Sequence, residues 1–410
     1  MADHSSNPTP RLVIMATAAM SVWALLRPVI MHMSSRGFDV HVISAPGRGL
    51  ERLRALPGVT VHPIPLRRRI NLFWDLVSLL RLCLTFLQLR PDIVHANTPK
   101  AGLLGMTAAF VTRIKVRVLT INGLPSMTET GWRRSLLTAS DRLACFLATR
   151  VLTVSQSLRG AITKGRLCPP RKVVTLGFGS SHGIDVRRFN LDSVEPAHRA
   201  EVRRQYAIPQ HSVLIGYVGR LVRDKGVEDL AAAWSIVRRK SKDLHLLLCG
   251  DFEADDAVRT EVRAALLRDE RVHVTAGFVD DMPPMYSAMD ICVLPTYREG
   301  LPNVCLEASA MRIPVIATCI PGCVDAVEDE VTGLLVRPRD PESLASALLR
   351  LAIDPDLRRH LGEAGRQFVE TRFSEDTVCE LLFSEYIRLV PACGVSLRKV
   401  AGRTLDQASE

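Results

Sequence analysis

Residues 213–226 read VLIGYVGRLVRDKG, and this segment indicates the fold class. Its first five residues are apolar and predict a short buried strand, after which Gly219 lets the backbone turn closely before a helix that starts near Gly226. A strand that leads through a turn into a helix is the repeating unit of a parallel sheet with right-handed crossovers. The stretch therefore predicts an α/β fold.

The same unit recurs along the chain, and a polar, charged patch at 190–211 divides it into two series. Predicted strands lie at 12–16, 40–44, 59–63, 93–96, 117–121, 150–154, 213–217, 245–249, 272–275, 291–294 and 315–318. Predicted helices of the second series lie at 226–240, 256–269, 302–312, 341–354, 356–371 and 374–391.

Two doubly wound, Rossmann-like domains follow from this division. We expect the first domain at 1–195 and the second at 196–375. The helix at 376–391 should cross back to the first domain, and residues 392–410, which have no periodicity, should form a disordered tail.

Composition and charge restrict the partners. With 410 residues and 47% apolar side chains, the chain is too large and too apolar for a disulfide mini-scaffold or a disordered protein. Residues 1–195 carry a net charge of +16 and residues 196–410 a net charge of −6, so the first domain should face something anionic. Aromatic residues, at 5%, are too few to stack on single-stranded nucleic acid, which favours a phospholipid surface.

Neither cysteines nor apolar segments predict an extracellular or membrane-spanning protein. The ten cysteines are scattered singly, as reduced thiols of a cytosolic protein are. The apolar segment at 12–26 is interpreted as a strand and a helix, not a signal peptide. Residues 72–89 carry Asp75 and Arg81 and follow the run Arg67-Arg68-Arg69, which predicts an interfacial helix and not a span.

Charged residues follow two strands of the second series, where ligands bind in doubly wound sheets. Arg220 and Lys225 are five residues apart just before a helix, an arrangement that can grip a diphosphate, although a solvated turn would look the same. Glu299 and Glu307 are eight residues apart, one before a helix and one within it. Glu307 lies in a small, apolar stretch and needs a partner there.

These two motifs carry a resemblance to a known family. Gly-Arg-Leu-x-x-x-Lys-Gly at 219–226 and Glu-Gly-Leu-Pro-Asn-Val-x-Leu-Glu-Ala at 299–308 resemble the nucleotide-sugar half of the family 4 retaining glycosyltransferases. The resemblance spans about residues 11–390 and implies the GT-B fold, in which two Rossmann-like doubly wound domains face each other across a cleft. Segments similar to the capsule and exopolysaccharide branch lie at 90–105, 122–125, 148–155 and 179–189.

The resemblance implies roles for residues of the second domain. Arg220 and Lys225 would hold the donor diphosphate, Glu299 would bind hydroxyls of the transferred sugar, and Glu307 would bind the ribose. No metal or other cofactor is then required, since the cations and a helix N-terminus stabilise the leaving group. Further residues implied to line the nucleotide site are Gly219, Asp251, Phe278, Val279, Gly300 and Leu301.

The first domain carries the residues expected on the acceptor side. Asn122 stands where the family commonly has a histidine that contacts the reacting sugar; an amide can donate and accept hydrogen bonds but does not titrate. His95, Asn97 and Lys100 follow a predicted strand. For His95, a structural and an acceptor-side role are both open.

The resemblance also implies a reaction and a cellular location. The expected reaction moves a sugar from a nucleotide-sugar, UDP before GDP, to a lipid-linked saccharide in capsule, exopolysaccharide or O-antigen biosynthesis. The enzyme would be cytoplasmic and peripheral to the anionic inner face of the plasma membrane. Alternatives are a soluble small-molecule acceptor, a sugar-nucleotide epimerase of similar architecture or a silent binding subunit. A nucleic-acid-binding protein would explain the charge but not the two glutamates.

Overall fold

The computed structural model describes residues 9–67, 71–275, 277 and 279–390. It contains two parallel sheets whose central strands are Val-, Ile- and Leu-rich and buried, as strands covered by helices on both faces must be. The first sheet has seven strands: β1 (Arg11–Met15), β2 (Asp39–Ser44), β3 (Val59–Pro63), β4 (Ile93–Ala96), β5 (Val116–Ile121), β6 (Arg150–Thr153) and β7 (Val173–Val174). The second has six: β8 (Val213–Val218), β9 (Leu244–Cys249), β10 (Val272–Val274), β11 (Ile291–Leu294), β12 (Val315–Thr318) and β13 (Gly333–Val336).

Helices connect these strands. Those of the first series are α1 (Ala19–Ser21), a π-helical segment (Val22–Leu26), α2 (Arg27–Ser35), α3 (Arg48–Arg54), α4 (Leu72–Leu89), α5 (Pro99–Val111), α6 (Gly131–Leu147) and α7 (Gln156–Lys164). Those of the second are α8 (Pro196–Gln205), α9 (Val227–Lys240), α10 (Thr260–Arg268), α11 (Met282–Ala288), α12 (Asn303–Ala310), α13 (Cys323–Ala326), α14 (Pro341–Ile353), α15 (Pro355–Arg372) and α16 (Glu375–Leu389).

The strand orders reveal where each sheet can bind a ligand. The first sheet runs β3-β2-β1-β4-β5-β6-β7 and the second β10-β9-β8-β11-β12-β13. The chain therefore winds outward in opposite directions from the β1/β4 pair and from the β8/β11 pair. Such a topological switch point opens a crevice beyond the carboxyl ends of its two strands.

The chain divides into two units at positions that differ from the sequence-based expectation. Unit 1 comprises Met1–Gly183 and Glu375–Glu410, and unit 2 comprises Ile184–Ser374. The division at 183/184 precedes the expected 195/196 because Ile184 and Phe189 already pack in the core of unit 2. The polar patch that suggested the later boundary lies inside unit 2.

The last helix, α16, belongs to unit 1. Its residues Leu382, Phe383 and Tyr386 are buried in the same core as Leu12 and Ile14 of β1. The ring of Phe38 meets those of Phe383 and Tyr386 edge-on, with centroids 6.2 and 6.0 Å apart. Unit 1 is therefore built from two separate parts of the chain. The predicted tail at 392–410 lies outside the described residues.

Candidate active site

The switch point of the second sheet brings two of the predicted residues into contact. β8 and β11 are neighbours, so the loops that follow them meet. The Lys225 ammonium donates to Oε1 of Glu299 at 2.5 Å, and Arg298 donates to Asp224 at 2.7 Å. The backbone N–H of Tyr297 donates to the Asp224 carbonyl at 2.9 Å. Two ion pairs and a backbone hydrogen bond thus join the loops.

Two glycines allow the backbones at this edge to touch. Gly226 has φ +71°, and a Cβ on it would lie 1.8 Å from the carbonyl oxygen of Pro295. Gly322 has φ +87°, and a Cβ there would lie 2.7 Å from the Gly300 carbonyl oxygen. Because no side chain fits at either position, the loops that carry Lys225 and Glu299 are fixed by direct backbone packing.

Arg220 shares the carboxyl end of β8 with this pair. Its guanidinium donates to Glu253 at 3.1 Å and is half exposed, whereas its carbonyl oxygen accepts a 2.8 Å hydrogen bond from Tyr217. Burial raises the pKa of Tyr217 above its ordinary range; the Glu299 charge adds to this rise and Arg220 opposes it. The phenol therefore remains protonated and holds the Arg220 backbone, a role that sequence analysis missed.

Glu307 has the partner that its apolar surroundings require. It lies on α12, and the hydroxyl of Tyr286, on α11, donates to its Oε2 at 2.8 Å. Burial raises the pKa of Glu307, while the Tyr286 hydrogen bond and the charge of Arg188 act in the opposite direction. Sequence analysis did not identify Tyr286 or Arg188, because both are far from Glu307 along the chain.

Asp251 and Gly219 contribute backbone at this edge. The N–H of Leu221 donates to the Asp251 carbonyl at 2.8 Å, while the Asp251 side chain is exposed. Gly219 has φ +144°, and its carbonyl oxygen lies 2.0 Å from where a Cβ on Gly250 would stand. The loops after β8 and β9 therefore pack backbone to backbone, without a direct role for the Asp251 carboxylate in that packing.

The remaining predicted nucleotide-site residues fall into three environments. Gly300 is buried beside Gly322. Leu301 and Val279 are partly buried and pack against the core of unit 2. Phe278 lies outside the described residues. Within the described part of the chain, no cluster of three or more His, Cys, Asp or Glu side chains could hold a metal ion.

In unit 1, Asn97 and Asn122 meet at the β1/β4 switch point. Nδ2 of Asn122 donates to the Asn97 carbonyl at 2.6 Å, and the Asn97 N–H donates to the Met15 carbonyl at 2.9 Å. The Asn97 amide nitrogen Nδ2 is buried without a hydrogen-bond partner among the described residues. Asn122 itself is exposed. The pair thus combines an exposed amide with an unsatisfied buried donor.

His95 and Lys100, which sequence analysis assigned to the acceptor side with a structural role also open for His95, both have protein partners. His95 is buried, with Nδ1 2.5 Å from the Tyr386 hydroxyl and Nε2 2.6 Å from Oγ1 of Thr120. Burial lowers the pKa of His95 to about 3, so the ring is neutral and joins α16 to the sheet. Lys100 donates to Asp75 at 2.8 Å and ties α5 to α4.

Comparison with known proteins agrees with this architecture along most of the chain. Residues 212–354 match the family described as Glycosyl transferases group 1, and residues 22–179 match the Glycosyl transferase 4-like domain. The capsular polysaccharide biosynthesis glycosyltransferase CapM of Staphylococcus aureus is 35% identical over 362 residues, which cover 88% of this chain and 93% of CapM. Alpha-D-kanosaminyltransferase of Streptomyces kanamyceticus is 27% identical over 382 residues, covering 85% of this chain and 95% of that protein.

A solved structure gives the fold. The Anabaena protein Alr3699/HepE, crystallised with UDP and glucose, aligns with a TM-score of 0.77 over 92% of this chain and 99% of its own, at 19% identity. Its two-domain GT-B architecture corresponds to the two parallel sheets described above. Together with the long match to CapM, these similarities show that the chain belongs to the group 1, or family 4, glycosyltransferases of the GT-B fold.

Proposed function

We propose that this glycosyltransferase moves a sugar, with retention of configuration, from a UDP-sugar to a lipid-linked saccharide in the synthesis of a capsule, exopolysaccharide or O-antigen. The observation that supports the UDP-sugar as donor is the Lys225–Glu299 pair at the β8/β11 switch point. The name of CapM and its similarity along nearly the whole chain support the acceptor class.

The donor diphosphate would lie between the two cations and the start of α12. Lys225 supplies a point charge, and the half-exposed Arg220 guanidinium can bind two phosphate oxygens at once. The N-cap residue of α12, Pro302, makes no side-chain cap, and the positive end of the helix dipole would add to the same field. We propose that these groups stabilise the leaving diphosphate without a metal ion.

Glu299 and Glu307 would orient the two halves of the donor. Glu299, held by Lys225 beside the diphosphate, would accept hydrogen bonds from hydroxyls of the transferred sugar. Glu307, held by Tyr286, would accept them from the ribose. With this division, the anomeric carbon would lie next to the Lys225–Glu299 pair, where its bond to the phosphate oxygen would break.

The proposed transfer needs no protein base to take the proton of the acceptor hydroxyl. The acceptor hydroxyl attacks the anomeric carbon on the face from which the diphosphate departs, and its proton passes to the departing phosphate oxygen. A new carbon–oxygen bond replaces the old one, and the sugar keeps its configuration. Asn122, an amide, would orient the sugar or the acceptor by hydrogen bonds alone.

A soluble acceptor is the second candidate, because a kanosaminyltransferase is also similar along most of the chain. The basic character of residues 1–195 favours the lipid-linked acceptor, since that acceptor lies at an anionic membrane. The enzyme would then work at the cytoplasmic face, as a peripheral protein. Family membership favours transfer over the epimerase alternative.

A panel of nucleotide-sugars tests the donor, and an acceptor assay tests the reaction. A UDP-sugar should raise the melting temperature of the protein more than the matching GDP-sugar, because a ligand selective for the folded state stabilises it. With that donor, sugar should appear on a polyprenyl diphosphate-linked saccharide and not on the same saccharide free in solution. Conversion of the donor to an epimer without any acceptor would contradict the proposal.

A further inference from the structure

The helices that follow β1 and β2 lie on one face of the unit 1 sheet. The crossovers β1–α2–β2 and β2–α3–β3 advance in the direction opposite to β3–α4–β4, so right-handed connections place α2 and α3 on the face that α4 does not cover. The π-helical segment Val22–Leu26 starts seven residues after β1, and α3 starts four residues after β2. Both therefore begin near the carboxyl ends of their strands, at the edge where the β1/β4 switch point opens.

Trp23, in the π-helical segment, contacts two guanidinium groups. The guanidinium carbon of Arg27 lies 5.0 Å from the ring centre of Trp23, and that of Arg52, on α3, lies 5.6 Å from it. Both distances are within the range of a cation–π interaction, in which the negative face of the indole attracts the positive charge. One indole thus brings two positive charges from two helices close together.

Close backbone packing fixes α3 against this segment. α3 packs against α1 and against the π-helical segment. Gly49 permits this approach, because a Cβ on it would lie 2.3 Å from the carbonyl oxygen of Ala19. Leu53, the residue after Arg52, is buried in the core of unit 1. The position of Arg52 beside Trp23 is therefore set by the packing of the helix that carries it.

The cations around Trp23 lack acidic partners. Arg48 lies one turn before Arg52 on the same side of α3. Arg27, Arg48 and Arg52 are exposed, and among the described residues none of them forms an ion pair with a carboxylate, Glu51 of α3 included. Like charges held on one patch repel one another, and a bound anion relieves that repulsion. The patch therefore has the charge of an anion site.

Two buried polar atoms at the same edge of the sheet also lack partners. Ser44, the last residue of β2, is 0% exposed, and its Oγ has no hydrogen-bond partner within the described part of the chain. The same holds for Nδ2 of Asn97, which follows β4. Buried polar groups are nearly always hydrogen-bonded, so unsatisfied groups indicate a bound molecule or water. This edge therefore favours a polar ligand.

We infer that Trp23, Arg27, Arg48 and Arg52 form a binding site for a diphosphate, namely that of the lipid-linked saccharide acceptor. The site rests on the proposed function, from which it takes the acceptor class, and it is separate from the donor site of unit 2. A diphosphate fits the patch because each of its two phosphoryl groups can accept paired hydrogen bonds from a guanidinium. The indole orients two of the guanidiniums before the ligand binds, which lowers the entropic cost of binding.

Calorimetry with geranyl diphosphate tests the site, with saturating UDP present so that the donor site is filled. Arg27→Gln and Arg52→Gln should each raise the Kd of geranyl diphosphate by about tenfold, because charge-assisted hydrogen bonds are lost. Arg54→Gln is the matched control and should leave the Kd unchanged. Arg54 is an exposed arginine of the same helix, whereas the two arginines on Trp23 are Arg27 and Arg52.

Kinetics connect the site to the acceptor. In transfer to a polyprenyl diphosphate-linked saccharide, Arg27→Gln and Arg52→Gln should raise the KM for the acceptor by about tenfold. The KM for the UDP-sugar and kcat should stay at their wild-type values, because the donor site is unchanged. Failure of the proposed function would appear as a lack of transfer by the wild-type enzyme, while its binding of geranyl diphosphate would persist.

Several outcomes would overturn the diphosphate site. One is a wild-type protein that does not bind geranyl diphosphate, or binds geranyl monophosphate equally well. Another is a Kd that Arg27→Gln and Arg52→Gln leave unchanged, or that Arg54→Gln raises as much as they do. If the first two variants lost binding to phosphatidylglycerol vesicles but kept the wild-type Kd for geranyl diphosphate, the ligand would be a lipid headgroup and the diphosphate site would be wrong.

Discussion

The ammonium of Lys225 lies 2.5 Å from a carboxylate oxygen of Glu299, although 74 residues separate the two along the chain. Both side chains are largely shielded, with exposed fractions of 19% and 14%. The pair joins the loops after β8 and β11, so it serves both the local structure and the proposed chemistry. Substitutions at this pair must therefore separate loss of folding from loss of transfer.

Replacing Glu299 by alanine should keep the fold and abolish transfer. We expect a loss of about 1–3 kcal/mol in the free energy of unfolding, because Lys225 is left partly shielded without its partner. Transfer, measured as kcat/KM with the UDP-sugar, should fall by at least about 100-fold, as for loss of an oriented transition-state contact. Glu253→Ala, which removes the exposed partner of Arg220, should cost about 0.5 kcal/mol or less.

Exchanging the charges of Lys225 and Glu299 distinguishes the structural role of the pair from its proposed role in transfer. The double variant Lys225→Glu, Glu299→Lys should recover part of the stability lost in Glu299→Ala, because opposite charges again face each other. It should not recover transfer, since the cation no longer stands where the diphosphate is proposed to bind. Transfer close to that of the wild type would contradict the roles assigned to both residues.

Tyr286→Phe should weaken UDP binding by about tenfold, measured by calorimetry, because it removes the hydroxyl that orients Glu307. That hydroxyl also opposes the burial that raises the pKa of Glu307, so its loss should raise this pKa further. A protonated carboxyl accepts hydrogen bonds less well. As the pH is lowered, UDP binding by the variant should therefore begin to weaken at a higher pH than UDP binding by the wild type does. Tyr206→Phe, in the same core, should leave UDP affinity unchanged.

Gly226→Ala should destabilise unit 2 by about 3 kcal/mol or more, measured by urea unfolding. An added Cβ would lie 1.8 Å from the Pro295 carbonyl oxygen, and φ is +71°. Gly277→Ala is the matched control. Gly277 also has a positive φ, +83°, but a Cβ on it meets nothing within 4 Å, so the cost should be about 1 kcal/mol. Equal costs would show that Gly226 serves backbone conformation and not close packing.

Unit 1 should lose stability in mild acid because His95 is buried and neutral. Its pKa falls from the ordinary 6.5 to about 3 on folding, so the unfolded chain binds the proton more readily. The contribution of neutral His95 to the free energy of unfolding is complete above pH 6.5. It is lost as the pH falls toward 3, by up to about 1.4 kcal/mol per pH unit. His95→Gln should flatten the pH dependence of unfolding. Tyr386→Phe should lower stability at every pH but keep the slope, because the imidazole remains.

The strands could be predicted where apolar runs are bounded by turn residues. The intervals 291–294 and 315–318 agree with β11 and β12 at both ends, and 72–89 agrees with α4. β7 and β13, which end the two sheets, were missed, and the two residues of β7 carry too short a pattern to be identified.

Part of the candidate site could also be predicted from the sequence. Residues that follow strands were identifiable, since ligands bind beyond the carboxyl ends of parallel strands. Their partners were not: the Tyr386–His95 contact spans 291 residues and depends on which core α16 joins. The apolar neighbours of Glu307 indicated that it needs a partner, but only the packing of α11 against this edge identifies that partner as Tyr286.

Because unit 1 is assembled from Met1–Gly183 and Glu375–Glu410, its folding depends on the order of synthesis. Unit 2, an uninterrupted segment, can finish folding while the ribosome still holds the end of the chain. The amino-terminal sheet is made first but lacks the phenol that His95 requires until Tyr386 emerges. A nascent chain halted at Gly183 should therefore be a client for chaperones, whereas Ile184–Ser374 should be soluble when expressed alone.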